Sequence, residues 1–233
     1  MNYIGIDISL NSTAICIENN HDISLFSYNM LKPSNKYVKD LEQYVNIRHL
    51  EEKKESKNYS ESEMNKLNRY DDITDSILMD VFRTIHIDEP TIIGIEGYSF
   101  SSNTSSILDI VCFSTLLRIK LLRNINDVKI DIIAPKSLKV GTCEFVYGYQ
   151  IIEMGKRVVR SIKVINTNHQ DVKGGDFKKH EMYMAMVDGN VESPITDYLI
   201  SNAPSILALK SIPHPIDDLI DSIFACKYIK YHS

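Results

Sequence analysis

Two short apolar runs, each ending in a carboxylate, constrain this chain more than any other feature. Tyr3-Ile4-Gly5-Ile6 leads into Asp7, and Ile92-Ile93-Gly94-Ile95 leads into Glu96. Runs of this length and composition read as buried strands. A third acidic cluster, Asp217, Asp218 and Asp221, lies on an amphipathic stretch from Ile216 to Tyr231 that reads as a helix. Two strands and a helix that bring carboxylates together make a site for hard divalent cations, which take oxygen ligands. Such a site points to two-metal phosphodiester chemistry.

The rest of the chain supplies the frame. Residues 12–18 and 22–30 read as two further strands joined at Asn19, Asn20 and His21, so the chain opens on an antiparallel meander. Residues 32–62 are polar and charged and read as a loop or a solvated helix. A helix is expected from Ser60 or Ser62 to His86, with Ile77, Leu78, Val81, Phe82 and Ile85 on one buried face. A second covers about 104–123, with Ile107, Ile110, Val111, Leu117 and Leu121 inward. A fifth strand follows at 128–133. A meander followed by βαβ connections implies an α/β domain, a mixed five-stranded sheet flanked by helices. The alternation around Phe145, Val146, Tyr147 and Tyr149 predicts a β-hairpin excursion, and a helix is expected from Asp176. Residues 189–213, with Pro194, Pro204 and Pro213, read as irregular.

Charge is unevenly spread. The net charge is −5, yet residues 118–180 hold 13 Lys/Arg against 6 Asp/Glu. That asymmetry fits a polyanion-binding face beside an acidic metal site. No apolar run approaches the roughly 20 residues needed to cross a bilayer. The N-terminus enters a strand pattern at once, so a cytoplasmic protein is expected. Cys16, Cys112 and Cys226 read as small core residues in a reducing compartment. None of the four cysteines forms a CxxC pair, which argues against zinc. The Asn-, Ile- and Lys-rich composition without Trp suits an AT-rich genome, as of a phage or other virus.

The terminal helix carries the sharpest geometry. Asp218 and Asp221 are three apart and share a face; Asp217 and Asp221, four apart, could do so equally well. Asp217 and Asp218 also suit a helix first turn after Pro215. That accounts for Asp217 and accounts poorly for Asp221.

Five segments in order resemble RuvC-type Holliday junction resolvases, especially the phage-encoded branch. They are Gly5-Ile6-Asp7-Ile8-Ser9-Leu10-Asn11-Ser12-Thr13, Ile95-Glu96-Gly97-Tyr98-Ser99-Phe100, Ala134-Pro135-Lys136-Ser137-Leu138-Lys139, Gly174-Gly175-Asp176-Phe177-Lys178-Lys179-His180-Glu181-Met182, and Asp218-Leu219-Ile220-Asp221-Ser222-Ile223. The resemblance implies an RNase H-like fold and a catalytic, metal-binding tetrad of Asp7, Glu96, Asp218 and Asp221. It implies two Mg²⁺ or Mn²⁺ ions per site, and Lys139 and Lys179 at backbone phosphate, with Lys179 counted among the catalytic groups. Ser9, Asn11, Ser12, Lys136 and Lys178 are further expected DNA contacts, and Tyr98 and Phe100 are both candidates to wedge between bases. In the family the lysine and glycine motifs are separated by only a few residues. Here 140–172 intervenes, an insertion carrying Lys156, Arg157, Arg160 and Lys163 that would clamp DNA or join a dimer, the whole of 1–233 otherwise forming one nuclease domain.

The implied activity is resolution of four-way DNA junctions by paired nicks, which calls for a homodimer. A nuclease acting on flaps, forks or RNA–DNA hybrids would use the same four acids. A sugar-kinase or actin-type ATPase also opens on a strand ending in Asp, but needs several glycine-rich loops; with nine glycines and no second phosphate loop, no nucleotide cofactor is expected. A catalytically dead junction-binding module would have no need of all four acids.

Overall fold

The computed structural model describes residues 1–20, 22–51, 54, 56–98, 104–148, 150–154, 157–161, 163–165, 171–173 and 177–233; for 104–106, 150–154, 157–161, 163–165 and 171–173 it gives backbone alone. The main elements are β1 (Asn2–Asp7), β2 (Ser12–Asn19), β3 (Asp22–Asn29), α1 (Lys36–Leu41), β4 (Asn46–His49), α2 (Tyr59–Thr84), β5 (Thr91–Glu96), α3 (Thr104–Asn124), β6 (Val128–Ile133) and α4 (Pro135–Tyr147). After them come β7 (Gln150–Met154), β8 (Arg157–Ser161), β9 (Lys163–Ile165), β10 (Asp171–Lys173), α5 (Lys179–Asp188), α6 (Thr196–Leu207) and α7 (Ile216–His232).

The central sheet has the order β4-β3-β2-β1-β5-β6. Only β2 runs against the rest, because β1 pairs antiparallel with β2 and parallel with β5, and β4 and β6 add in parallel at the edges. The result is a mixed α/β fold, as the meander and βαβ pattern implied.

Strand alternation divides the core between the two faces. Ile4, Ile6, Ile15, Ile17, Ile93 and Ile95 face α2 and α3, packing on Ile77, Val81, Phe113 and Leu117. Ala14, Cys16 and Leu25 face the other way, against α7 and the helices behind it. Gly5 and Gly94 lie on that second face, where α7 comes nearest. A Cβ on Gly5 would stand 2.1 Å from the Ser222 carbonyl oxygen, and one on Gly94 would stand 2.7 Å from the Ile229 side chain. The two glycines let the helix backbone rest almost directly on β1 and β5.

Several expectations are corrected. The sheet has six strands, because Asn46–His49 pairs in parallel with Phe26–Asn29. The polar stretch 32–62 therefore contains α1 and β4, held by burial of Val38, Leu41 and Val45. Residues 189–213 contain α6, which carries Pro204 inside it and buries Leu199 and Ile206. The helix expected from Asp176 begins at Lys179. Cys112 is exposed on α3, whereas Cys143 joins Cys16 and Cys226 in the core. On α3, Phe113 is the buried anchor beside Leu117 and Leu121, while Ile107, Ile110 and Val111 are only partly covered. Of the segment 140–172, residues 140–147 complete α4, and β7–β8 and β9–β10 form separate antiparallel pairs.

Candidate active site

Strand parity places the acids. Asp7 lies two residues beyond Gly5 and Glu96 two beyond Gly94, so both carboxylates emerge on the face that carries α7. The register pairs Gly5 with Gly94 and Ile6 with Ile95, which sets Asp7 beside Glu96 at the carboxyl edge of the sheet. From α7, Asp221 completes the group: one carboxylate oxygen from each of Asp7, Glu96 and Asp221 lies within 4.8 Å of the others. Asp221 sits one position before Ser222, whose carbonyl faces Gly5. The glycine contact therefore sets how far the third acid stands from the first.

Asp218 belongs to a neighbouring group with Asp217 and His214. His214 Nδ1 stands 2.8 Å from Asp217 Oδ1 and 2.9 Å from Asp218 Oδ2. The aligned hydrogen bond goes to Asp218, and Asp217 Oδ1, shut off from water, receives none among the described residues. Ser12 also donates its hydroxyl to Asp218 Oδ2. Lys179, at the start of α5, joins the two groups, donating to Asp221 and lying 3.6 Å from Asp217 Oδ2.

Crowded carboxylates resist ionisation. Burial, and then the charges of Asp221, Glu96 and Asp218, push the Asp7 carboxyl well above the ordinary range, with Lys179 pulling the other way. Burial and then Asp221 push Glu96 up to about 7. Asp221 is raised mainly by burial, against the pull of Lys179. Burial opposes the charge on Lys179, but Asp221, Asp7 and Asp217 outweigh it and raise its pKa. Close contact of its ring with the Asp217 carboxylate and then the Asp218 carboxylate raises His214 to about 10. Such a site is short of positive charge, and its oxygen donors fit a hard divalent cation.

The acids open into a cleft of about 460 Å³ whose lining includes Tyr98, Lys139, Lys178 and Lys179, with Ile8, Ile107, Ile110 and Met182 as its apolar walls. Tyr98 is held by a 3.3 Å hydrogen bond from Arg118 Nη2. The loop of Ser9 and Asn11 is pinned by Thr13, whose hydroxyl donates to the Ser9 carbonyl at 2.7 Å, and by Met30, whose amide donates to the Asn11 carbonyl at 3.0 Å. Lys136 lines a different, shallow pocket with Glu144, Tyr228 and His232. Phe100 and Lys156 lie outside the described residues, as do Ser99, Gly174, Gly175 and Asp176; Arg157 and Arg160 lie on β8. His214 was missed in the sequence. Its signal was spacing, three residues before Asp217 and four before Asp218.

Fold and site together define a mixed α/β domain with a carboxylate cluster suited to divalent cations. No family model and no curated protein sequence matches the chain. Among solved structures it is similar to RuvC of Thermus thermophilus, at 11% identity over 100% of this chain and 96% of that one, with a TM-score of 0.45. It is similar to T. thermophilus RuvC in complex with Holliday junction substrate, at 10% identity over 100% and 94%, with a TM-score of 0.47. The yeast mitochondrial Holliday junction resolvase Ydc2 is similar at 12% identity over 98% and 80%, with a TM-score of 0.47. Among the described residues no helix is long and apolar enough to cross a membrane.

Proposed function

We propose that the chain is a metal-dependent, structure-selective endodeoxyribonuclease that resolves four-way DNA junctions by paired symmetric nicks. The observation that carries this reading is the meeting of Asp7, Glu96 and Asp221 in one cleft flanked by Lys139, Lys178 and Lys179. The substrate comes from the resemblance of five ordered motifs to RuvC-type resolvases.

Asp7, Glu96, Asp218 and Asp221 would hold two Mg²⁺ or Mn²⁺ ions. When bound, such a pair supplies an activated water and stabilises the leaving oxygen of an in-line displacement. The chain's own groups do the rest. Asp7, which meets Glu96 and Asp221 and feels the charge of Asp218, would be one of the ligands. Lys179 would turn from Asp221 to meet charge growing on the phosphate, and Lys139, which lines the same cleft, would add to it. The apolar walls thin the water around the reacting phosphate. Ser12 holds Asp218 in place through its hydroxyl, while Ser9 and Asn11 present the β1–β2 loop to the strand. Tyr98 or Phe100 stacks on an opened base. Lys136, Lys178, Lys156, Arg157 and Arg160 contact phosphates further out. Two strands must be cut symmetrically, so the working unit is a homodimer.

Four-way junctions, flaps and RNA–DNA hybrids incubated in parallel with the protein and Mg²⁺ test the substrate. Junctions are expected to be cut most efficiently. Preference for flaps or hybrids would leave the active site standing and overturn the substrate.

A further inference from the structure

A second cavity lies beyond the β1–β2 loop, away from the carboxylates. It has a volume of about 540 Å³, and Arg48 and His49 of β4, Lys54, and Asn65 and Arg69 of α2 are among its lining. We propose that this pocket is a second nucleic-acid contact, in which Arg69 and Lys54 take a backbone phosphate of a DNA arm that has left the cleft. The proposal rests on reading the cleft as the site of a DNA nuclease.

Three observations support it. The first is an unmatched charge. Arg69 Nη1 donates to the Leu10 carbonyl at 3.0 Å, whereas Nε and Nη2, shut off from water, meet no acceptor among the described residues. Burial pulls the Arg69 pKa below its ordinary value, against the charge of Tyr70. A guanidinium nevertheless keeps its proton at any ordinary pH, so the fork stays charged, and an anion that reaches it would be held by charge-assisted bonds. Arg48, by contrast, is matched by Asp80, and the acids of the lining, Glu51 and Asp72, are exposed. The second observation is a route to the fork. Lys54, Asn65 and Arg69 also line a smaller cavity of about 270 Å³, so the three side chains stand in the wall between two cavities. That wall is lightly tied: Asn65 Nδ2 reaches the Lys54 carbonyl at 3.4 Å, long for such a bond. Phosphate binding parts it.

The third observation is placement. The register sets Asp7 beside Ala14, Ser12 beside Asn29, and Asn29 beside His49, so the pocket lies at the same end of the sheet as the acids. From β1 to β4 are three strand spacings, about 14 Å, and a DNA strand carries a phosphate about every 3.4 Å of its rise. A strand seated at the acids therefore reaches the pocket after about four phosphates. Because the same guanidinium holds Leu10, the pocket is also tied to the loop that carries Ser9 and Asn11. The competing account is that Arg69 only pins this loop.

The test measures four-way junction binding by the whole protein in EDTA across a salt series. Each phosphate contact contributes about 0.9 to the slope of log affinity against log salt. Arg69→Met is expected to flatten the slope by about that amount. Junctions carrying one neutral methylphosphonate should bind the wild type several-fold more weakly when it lies about four phosphates from the cut, and Arg69→Met should not sense it. Weaker binding with an unchanged slope would mean that Arg69 only pins the loop; it would overturn the proposal and leave the nuclease reading intact. Should Arg69→Met fold poorly, the methylphosphonate series on the wild type decides: no interference outside the cleft overturns the contact. Inorganic phosphate added to the DNA-free protein separates the sources of the anion. If it raises the melting temperature of the wild type while the junction slope is insensitive to Arg69→Met, the pocket takes a free anion and the DNA contact is overturned. Absence of any junction binding by the wild type would overturn both readings.

Discussion

Gly5 and Ser222 meet so closely that a single methyl group on Gly5 would stand 2.1 Å from the Ser222 carbonyl oxygen. This contact fixes the helix that carries Asp221 against the strand that carries Asp7. Gly5→Ala should therefore force α7 away from the sheet, with an overpacking cost of roughly 1–3 kcal/mol. Urea denaturation should show the lower midpoint. Metal binding should weaken in the fraction that remains folded, because Asp221 moves relative to Asp7 and Glu96.

Burial, and then the charges of three neighbouring acids, bear on Asp7. Its neutral amide would keep the shape and remove the repulsion from Asp221, Glu96 and Asp218. Asp7→Asn is expected to raise the melting temperature of the metal-free protein by about 2–4 °C, read by calorimetry in EDTA. A mutant that melts below the wild type in EDTA would count against a crowded carboxylate site.

Lys179 is the internal cation of the cluster, bonded to Asp221 and close to Asp217. Lys179→Met should lower the melting temperature without metal, and Mg²⁺ should restore more stability to the variant than it adds to the wild type. If Lys179 also meets charge on the phosphate, cleavage should fall by roughly 10²–10³-fold. Single-turnover kinetics at saturating DNA separates that loss from weaker binding.

Away from the site, Asp80 on α2 holds the sheet edge. Arg48 of β4 donates to it through Nε and Nη2, both at 2.9 Å, and Tyr28 of β3 donates at 2.7 Å. Burial opposes the Asp80 charge, but these bonds outweigh it and hold the carboxyl below its ordinary range. A lowered carboxyl contributes stability that is present above its unfolded pKa, about 3.9, and lost as pH falls through the lower folded value. The wild type should therefore lose more stability than Asp80→Asn on acidification below about pH 4, measured by urea midpoints across pH. Near pH 7 the substitution should cost about 1–3 kcal/mol.

Much of this architecture was legible because its elements carry strong local periodicity. The strands ending in Asp7 and Glu96, the meander, α2, β6 and α7 all announce themselves in the pattern of apolar residues. Strand β4 does not, because Asn46-Ile47-Arg48-His49 is short and mostly polar; its stability comes from pairing with β3 and from the distant Asp80. Helix α6 was hidden by Pro204, yet packing of Leu199 and Ile206 keeps the helix around it. At the site, the parity of Gly5 with Asp7 and of Gly94 with Glu96 was visible in the sequence, but the grouping of the other acids was not. Asp217 was explained as a first-turn acid. Its burial follows from α7 being covered on nearly all sides, a tertiary fact that helical spacing does not carry. His214 sat in a proline-flanked loop, where only its spacing to two acids marked it.

Nick mapping decides whether the chain resolves junctions. An end-labelled synthetic four-way junction would be incubated with the protein and Mg²⁺ or Mn²⁺, beside Asp7→Asn. A metal-dependent junction resolvase should leave paired nicks placed symmetrically across the junction, abolished in the mutant while junction binding persists. Binding without cutting under either ion, or nicks that survive in Asp7→Asn, would contradict it.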